Sequence, residues 1–175
     1  MIYSNEGGIV AENNEFPESE MEKNYANTYH VSISPDESKF AIVSTYSAVI
    51  EMYNLPSLKR RYLGLFAGQE YDVRSGNIVL TNSTAVNFTD VYATNRHVYT
   101  AFSNIPVLPN KNRSLSEKML ENNNIDIYDW NGKPIRRIVT DYCIEKLCVD
   151  EKEEYAYAII SDFSDNYCIG KIRIR

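Results

Sequence analysis

The side chains with the clearest chemical capacity in this 175-residue chain are three cysteines and two histidines. Cys143, Cys148 and Cys168 cannot all pair with one another because their number is odd, and their spacing matches no common zinc pattern. His30 and His97 lie far from them in sequence, and a cysteine nucleophile needs a histidine that the fold brings close. The chain also contains no G-x-S-x-G, H-E-x-x-H or P-loop motif. We interpret the cysteines as small apolar residues packed in strands.

Three polar residues stand at the starts of alternating apolar runs: His30, Asp90 and Glu145. If these runs are innermost strands around one axis, the three side chains line a central channel. Converging carboxylate and imidazole groups can hold a metal ion, and calcium prefers oxygen ligands. Alternatively, the positions tolerate polar residues because water fills the channel. We favour the second interpretation and predict neither a metal nor a cofactor.

The elements that position these residues have the two-residue period of β-strands. Residues 29–65 contain four alternating runs, separated by short turns such as Pro35-Asp36-Glu37-Ser38 and Pro56-Ser57. Four strands joined by tight turns predict an antiparallel meander.

The same order of strands and turns returns twice. Residues 88–140 contain four runs with an insertion over residues 103–124, and Asn131-Gly132 predicts a type I′ hairpin turn between the last two runs. Residues 141–175 contain three runs and no fourth. A four-strand repeat with a period somewhat above roughly 40 residues is typical of a propeller blade. The sequence therefore predicts an all-β protein of three four-stranded antiparallel blades, the last lacking its outer strand; a β-sandwich is the alternative.

Two short matches align the repeats with one another. The first turns place Asp36, Asn95 and Asp150 in register. On the third strands, Glu51-Met52-Tyr53-Asn54 matches Asp126-Ile127-Tyr128-Asp129. Turn chemistry and a strand motif that recur together favour blades over a sandwich.

The second and third repeats resemble a known family. The runs 88–92, 97–103 and 124–134, with 144–161 centred on Val149-Asp150-Glu151-Lys152, are similar to the TolB-like six-bladed β-propeller family, typified by envelope lipoproteins of Gram-negative anaerobes. The resemblance covers residues 29–175 and corresponds to the C-terminal half of a six-bladed ring. It implies a partial six-bladed propeller and a cell-envelope or periplasmic setting. It implies no reaction, because the family offers no catalytic motif to transfer to these positions.

Charge separates the start of the chain from the rest. Residues 1–28 carry six glutamates against Lys23 alone, and we interpret them as an acidic segment that is the remnant of a preceding blade or a linker. The net charge is −6, and we expect no nucleic-acid partner because phosphate binding needs a basic patch. No apolar run approaches the roughly 18 residues of a membrane span, and the start lacks the features of a signal peptide. Localisation therefore rests on the resemblance alone.

One end of a propeller carries the loops that usually bind ligands. In this chain they are residues 44–48, the connecting loop 66–87, the insertion 103–124, and residues 141–143 and 162–168. Aromatic and arginine side chains supply most binding energy at exposed sites. The candidate ligand-binding residues in these loops are Tyr46, Tyr71, Arg74 and Phe163.

Two functions are compatible with this sequence. The favoured hypothesis is a non-catalytic binding or scaffolding module of the cell envelope, with an unknown protein, peptide or glycan ligand. The alternative is a metal-dependent hydrolase or lyase at the channel mouth, based on His30, Asp90 and Glu145. An arc of three blades leaves an apolar face open at each end, and large exposed apolar patches usually mark an interface. We therefore expect the chain to pair with a second half-propeller or to belong to a longer chain.

Overall fold

The computed structural model describes residues 2–3, 9–11, 29–65, 71–74, 77–81, 84–106, 123–161 and 166–175. All regular structure in these residues is β-strand. The three large antiparallel sheets contain four, four and three strands. This confirms the predicted all-β class and the blade that lacks its outer strand. Within the described part of the chain, no helix is long and apolar enough to cross a membrane.

The blades follow one another along the chain, and each runs from its innermost to its outermost strand. Blade 1 contains β3 (Tyr29–Ile33), β4 (Lys39–Ser44), β5 (Val49–Asn54) and β6 (Arg60–Leu65). Blade 2 contains β9 (Ala85–Ala93), β10 (His97–Pro106), β11 (Asn124–Asp129) and β12 (Pro134–Val139). Blade 3 contains β13 (Cys143–Val149), β14 (Tyr155–Ser161) and β15 (Tyr167–Arg173). Since β9 contacts both β3 and β13, the three innermost strands lie side by side.

Two apolar clusters join the blades face to face. Joint 1–2 buries side chains of blade 1 against Phe88, Val98, Tyr128 and Trp130 of blade 2. Joint 2–3 buries the opposite face of blade 2 against blade 3; its members include Tyr99, Ile125, Ile144, Leu147 and Ile160. Because successive strand residues point to opposite faces, blade 2 contributes to both joints at once. Each fully buried large side chain contributes about 1.5–3 kcal/mol.

The inner hairpins of blades 1 and 3 close with the same turn. In blade 1, Ser34 N donates to Lys39 O and Glu37 N donates to Ser34 O. The same two bonds recur in blade 3, where the residues are Asp150, Tyr155 and Glu153. Glu37 and Glu153 both have positive φ, 56° and 54°. Glu153 is therefore the equivalent of Glu37.

Blade 2 has a shorter turn at this place, since Thr94 N donates to His97 O. The residues that open the three turns are Ser34, Thr94 and Asp150. The predicted register of Asp36, Asn95 and Asp150 is therefore wrong, because Asp36 and Asn95 come after the opening residues of their turns, whereas Asp150 is itself the opening residue. The third-strand match is confirmed: Glu51 pairs with Ile42 and Asp126 with Thr100, at equivalent places in the two sheets.

The turn between β11 and β12 contains Asn131-Gly132, in a geometry other than the predicted type I′. Gly132 has φ 79°, whereas Asn131 is not in the positive-φ region that type I′ requires at both positions. The Oδ1 atom of Asp129 accepts the N–H groups of Asn131 and Lys133 at 2.8 and 2.9 Å. This aspartate holds a longer loop that includes Trp130, and the indole is thereby placed in joint 1–2.

Short strands also occur in segments predicted as loops. Within 66–87, β7 (Tyr71–Arg74) pairs with β8 (Asn77–Leu80), and β9 already begins at Ala85. In the sequence, the dipeptide Ser-Gly, which is typical of turns, stands between these two runs. The strand β10 extends to Pro106, into the predicted insertion 103–124.

A hairpin also occurs within the acidic segment 1–28. It consists of β1 (Ile2–Tyr3) and β2 (Ile9–Ala11). Its pairs Ile2↔Ala11 and Tyr3↔Ile9 have the same separations along the chain as Ile127↔Arg136 and Tyr128↔Pro134 of β11 and β12. The register shift falls at the same place in both hairpins. The backbone register of β1–β2 is thus that of the outer half of a blade.

Candidate functional site

One side chain from each innermost strand meets the other two at the axis. They are His30 of blade 1, Asp90 of blade 2 and Lys146 of blade 3, which we call the axial cluster. Lys146 Nζ lies 3.1 Å from Asp90 Oδ1 and 3.2 Å from His30 Nδ1. His30 Nδ1 and Asp90 Oδ1 are 3.8 Å apart. Asp90 Oδ2 also accepts the backbone N–H of Leu147 at 2.9 Å. The cluster therefore connects all three blades.

Lys146, rather than Glu145, is the third member of this cluster. Each member stands four residues before the residue that opens its turn, Ser34, Thr94 or Asp150. The register of β13 against β14 shifts between Ile144 and Lys146, so Glu145 sits at a bulge. Its Oε1 atom accepts a hydrogen bond from Ser161 Oγ at 3.0 Å. Counting back from the opening residue of each turn would have identified Lys146 in the sequence, but the predicted register, which aligned Asp36 and Asn95 with Asp150, hid this alignment.

The protonation state of His30 follows from its neighbours. Burial lowers its pKa, the Lys146 ammonium lowers it further, and Asp90 opposes both effects. Because an ammonium only donates, Nδ1 of a neutral His30 accepts from Lys146. The proton is then on Nε2, which donates to Thr45 Oγ1 at 3.3 Å. Both ring nitrogens are thus engaged within the protein.

The axial cluster is a poor place for a cation. The atoms that would bind a metal, His30 Nδ1 and Asp90 Oδ1, are the ones that contact the Lys146 ammonium. A metal ion would have to displace this fixed positive charge. Among the described residues, no group of three or more His, Cys, Asp and Glu side chains has the arrangement of a metal site.

The buried cysteine, Cys143, is unsuited to nucleophilic chemistry. Burial raises the pKa of the Cys143 thiol to about 11, and the charge of Glu145 adds to this effect. A thiol with such a pKa is protonated at neutral pH, and the thiolate is the reactive form. Cys148 and Cys168 are exposed free thiols.

A second polar cluster lies in joint 2–3. The Glu153 carboxylate is buried, and His97 Nδ1 lies 2.6 Å from its Oε2. Arg96 NH2 is 3.2 Å from the same oxygen, and Tyr99 donates its hydroxyl at 3.2 Å. Burial on its own would raise the pKa of Glu153, but hydrogen bonds from Thr94 and His97 and the nearby positive charges hold it below the ordinary value. Glu153 is therefore ionised and locks blade 3 to blade 2.

The sequence predicts the remaining site residues at the loop end of the arc. Tyr46 is half-buried in the turn between β4 and β5, where Asn87 Nδ2 donates to its carbonyl oxygen at 3.1 Å. Tyr71 and Arg74 stand at the two ends of β7, where their backbones pair with Leu80 and Asn77. Phe163 lies outside the described residues. An aromatic residue that was not singled out, Tyr142, is exposed at this end.

The family model of the TolB-like 6-blade propeller-like proteins matches residues 1–152 of this chain. The chain belongs to this family. The resemblance to this family seen in the sequence is confirmed, although the match covers residues 1–152 rather than 29–175. No curated protein shows significant sequence similarity to the chain.

Several solved structures are similar to this chain. The RRP9 WD40 repeats superpose with a TM-score of 0.50 at 11% identity over 83% of this chain and 41% of theirs. BamB from Moraxella catarrhalis gives a TM-score of 0.44 at 12% identity over 82% of this chain and 35% of its own. Hydrazine synthase from Kuenenia stuttgartiensis gives 0.41 at 15% identity over 83% and 45%. The chain thus spans less than half the length of these proteins, and identities this low reveal the fold alone.

Proposed function

We propose that this TolB-like protein is a non-catalytic binding or scaffolding module. The observation that carries the proposal is that the polar groups of the axial cluster already have partners within the protein. His30, Asp90 and Lys146 bind one another and the neighbouring backbone, and both ring nitrogens of His30 are engaged. The groups with the greatest chemical capacity therefore hold the blades together and leave the loop end as the interaction surface.

The alternative, a metal-dependent hydrolase or lyase, predicts a cation at the axis. We expect calorimetric titration of the purified protein with Ca²⁺ and with Zn²⁺ to give no saturable heat, because Lys146 occupies the coordinating positions. Asp90→Asn is the matched variant, since it keeps the shape of the side chain and removes its charge. Stoichiometric binding that Asp90→Asn abolishes would favour the enzyme and contradict the scaffold.

The loop end suits a protein, peptide or glycan ligand. Tyr46 and Tyr142 offer aromatic rings there, and aromatic faces contribute large contact areas at little entropic cost. We expect an array of envelope-derived peptides and glycans to identify a ligand whose binding falls at least about tenfold when Tyr46, Tyr71, Arg74 and Phe163 are all replaced by alanine. Glu151→Ala, at the opposite end of blade 3, is the control and should bind normally. Equal loss in both variants would remove the loop end as the site.

We propose the cell envelope as the setting of this protein. The support is its membership of the TolB-like family, which is typified by envelope lipoproteins. Fractionation of the native cells, with detection by a specific antibody, tests this part separately. We expect the protein in the envelope or periplasmic fraction. Recovery with a cytosolic marker enzyme would reject the envelope assignment and leave the scaffold proposal intact.

A further inference from the structure

Apolar side chains are exposed at both ends of the three-blade arc. On β3 of blade 1, Val31 is 58% exposed and Ile33 55%. On blade 3, Ile159 of β14 is 45% exposed and Ile169 of β15 is 81% exposed. We call the first surface the preceding face of blade 1 and the second the following face of blade 3. Each lies on the side of its sheet that faces away from blade 2.

The preceding face of blade 1 repeats positions that are buried in the other blades. Ile33 comes directly before the residue that opens the turn, and Ala93 and Val149 hold this position in blades 2 and 3. Ala93 and Val149 are buried in joints 1–2 and 2–3. Val31 is likewise equivalent to two buried residues, Val91 and Leu147. Blade 1 therefore presents the surface that blades 2 and 3 bury against a neighbour.

The following face of blade 3 repeats buried positions in the same way. In each blade, the member of the axial cluster pairs with one residue of the second strand. That residue is Val43 in blade 1, Ala101 in blade 2 and Ile159 in blade 3. Val43 and Ala101 are buried, and only Ile159 is exposed. On the third strand, Ile169 corresponds to the fully buried Ile50 and Ile125.

The chain also carries both halves of a polar lock. In joint 2–3, the Tyr99 hydroxyl donates to Glu153 of the next blade at 3.2 Å. Tyr157 is the equivalent of Tyr99, because both pair with the inner-strand residue two places before the turn. Glu37 is the equivalent of Glu153 by its turn and its positive φ. Tyr157 lies on the following face of blade 3, and Glu37 lies on blade 1 and is exposed.

We infer that two copies of this chain bind head to tail, with the following face of blade 3 in one copy packed on the preceding face of blade 1 in the other. Each such joint repeats the axial part of the internal ones: aliphatic residues meet near the axis, and Tyr157 donates to Glu37 of the partner copy. The outer part of the preceding face, with Glu51 and Tyr53, is already buried, so the contact lies on its axial part. Two joints close a ring of six blades, the number in the description of the family.

Light scattering after size-exclusion chromatography at micromolar concentration tests the inference. We expect a dimer of twice the 20.1 kDa of one chain. Ile33→Glu and Ile159→Glu should each give a folded monomer, because both joints lose an apolar contact and gain a buried charge. Val139→Glu is the control: this exposed residue of β12 lies outside both faces, and the variant should remain a dimer. A wild-type chain that is monomeric and has the circular dichroism spectrum of a folded β protein would overturn the inference.

Mixing the two monomeric variants tests the head-to-tail arrangement. The Ile33→Glu chain keeps an intact blade 3, and the Ile159→Glu chain keeps an intact blade 1, so the mixture can form one joint. We expect a heterodimer from the mixture and none from either variant alone. If copies met through identical faces, one of the two variants would still dimerise by itself, which would exclude the proposed arrangement.

The polar lock is measured in this one-joint heterodimer. Tyr157→Phe in the Ile33→Glu chain and Glu37→Gln in the Ile159→Glu chain should each weaken association by up to about tenfold. The two effects should not multiply in the combined variant, because Tyr157→Phe removes the hydrogen bond that Glu37→Gln weakens. Fully multiplicative effects would show that Tyr157 and Glu37 do not meet.

Discussion

Joint 1–2 and joint 2–3 bury equivalent positions of the innermost strands and differ in chemistry. Joint 1–2 is closed by aromatic rings, and Trp130 Nε1 donates to Thr94 O at 3.1 Å. Joint 2–3 is largely aliphatic and contains the buried Glu153 with its His97 and Arg96 partners. A buried ion pair needs good geometry to balance its desolvation cost, whereas apolar packing needs only matching volume. We therefore expect joint 1–2 to respond mainly to changes of volume and joint 2–3 to changes of charge.

The largest effect should come from Trp130→Ala. The indole is buried between blades 1 and 2, and its loss leaves a cavity and an unpaired Thr94 carbonyl. We expect the free energy of unfolding to fall by about 3–5 kcal/mol, measured by urea denaturation. Ile135→Ala, an exposed position on β12, is the control and should change stability by less than about 0.5 kcal/mol. If Trp130→Ala lowered the free energy of unfolding by less than about 1 kcal/mol, aromatic packing would not be what stabilises joint 1–2.

Gly132→Val should have the next largest effect. The residue has φ 79°, and a Cβ atom there would collide with the ring of Tyr62 in blade 1. Backbone strain and overpacking together should cost about 3 kcal/mol. Gly132→Asn separates the two causes, because asparagine tolerates positive φ but still carries a Cβ atom. If both variants lose the same stability, the collision with Tyr62 is the cause. If Gly132→Asn is nearly as stable as the wild type, the backbone strain is the cause.

Glu153→Gln should weaken joint 2–3 by about 2 kcal/mol at neutral pH, because it removes a buried charge that His97 and Arg96 approach. Glu151→Gln, on the same turn and exposed, is the control. The pKa of Glu153 is lowered in the fold, so its contribution is present above the unfolded-state pKa and is lost as pH falls through the folded-state value. Thermal denaturation should accordingly show a smaller difference between variant and wild type in acid. A constant difference would contradict this role of the charge.

The smallest effect should be the pH response of His30. Its pKa is lowered from 6.5, so the folded state disfavours protonation and stability should decrease as pH falls below that value. His30→Gln removes this titration while it keeps a polar side chain at the axis. We expect the wild-type melting temperature to fall more than that of the variant between neutral pH and about pH 5. Parallel curves would show that the axis is insensitive to this proton.

The sequence determined the elements of this protein, and the tertiary structure determined how they meet. Alternating runs, turn residues and the third-strand motif predicted the strands of all three blades, because side-chain alternation and turn chemistry are local properties. The axial cluster was only partly accessible in this way: His30 and Asp90 were identified, and Lys146 was missed. The residue that opens each turn is Ser34, Thr94 or Asp150, and β13 has a bulge at Glu145; neither feature is encoded by residue type alone. The buried Glu153 carboxylate is stabilised by His97 and Arg96, which belong to another blade. Only the packed fold brings these three residues together.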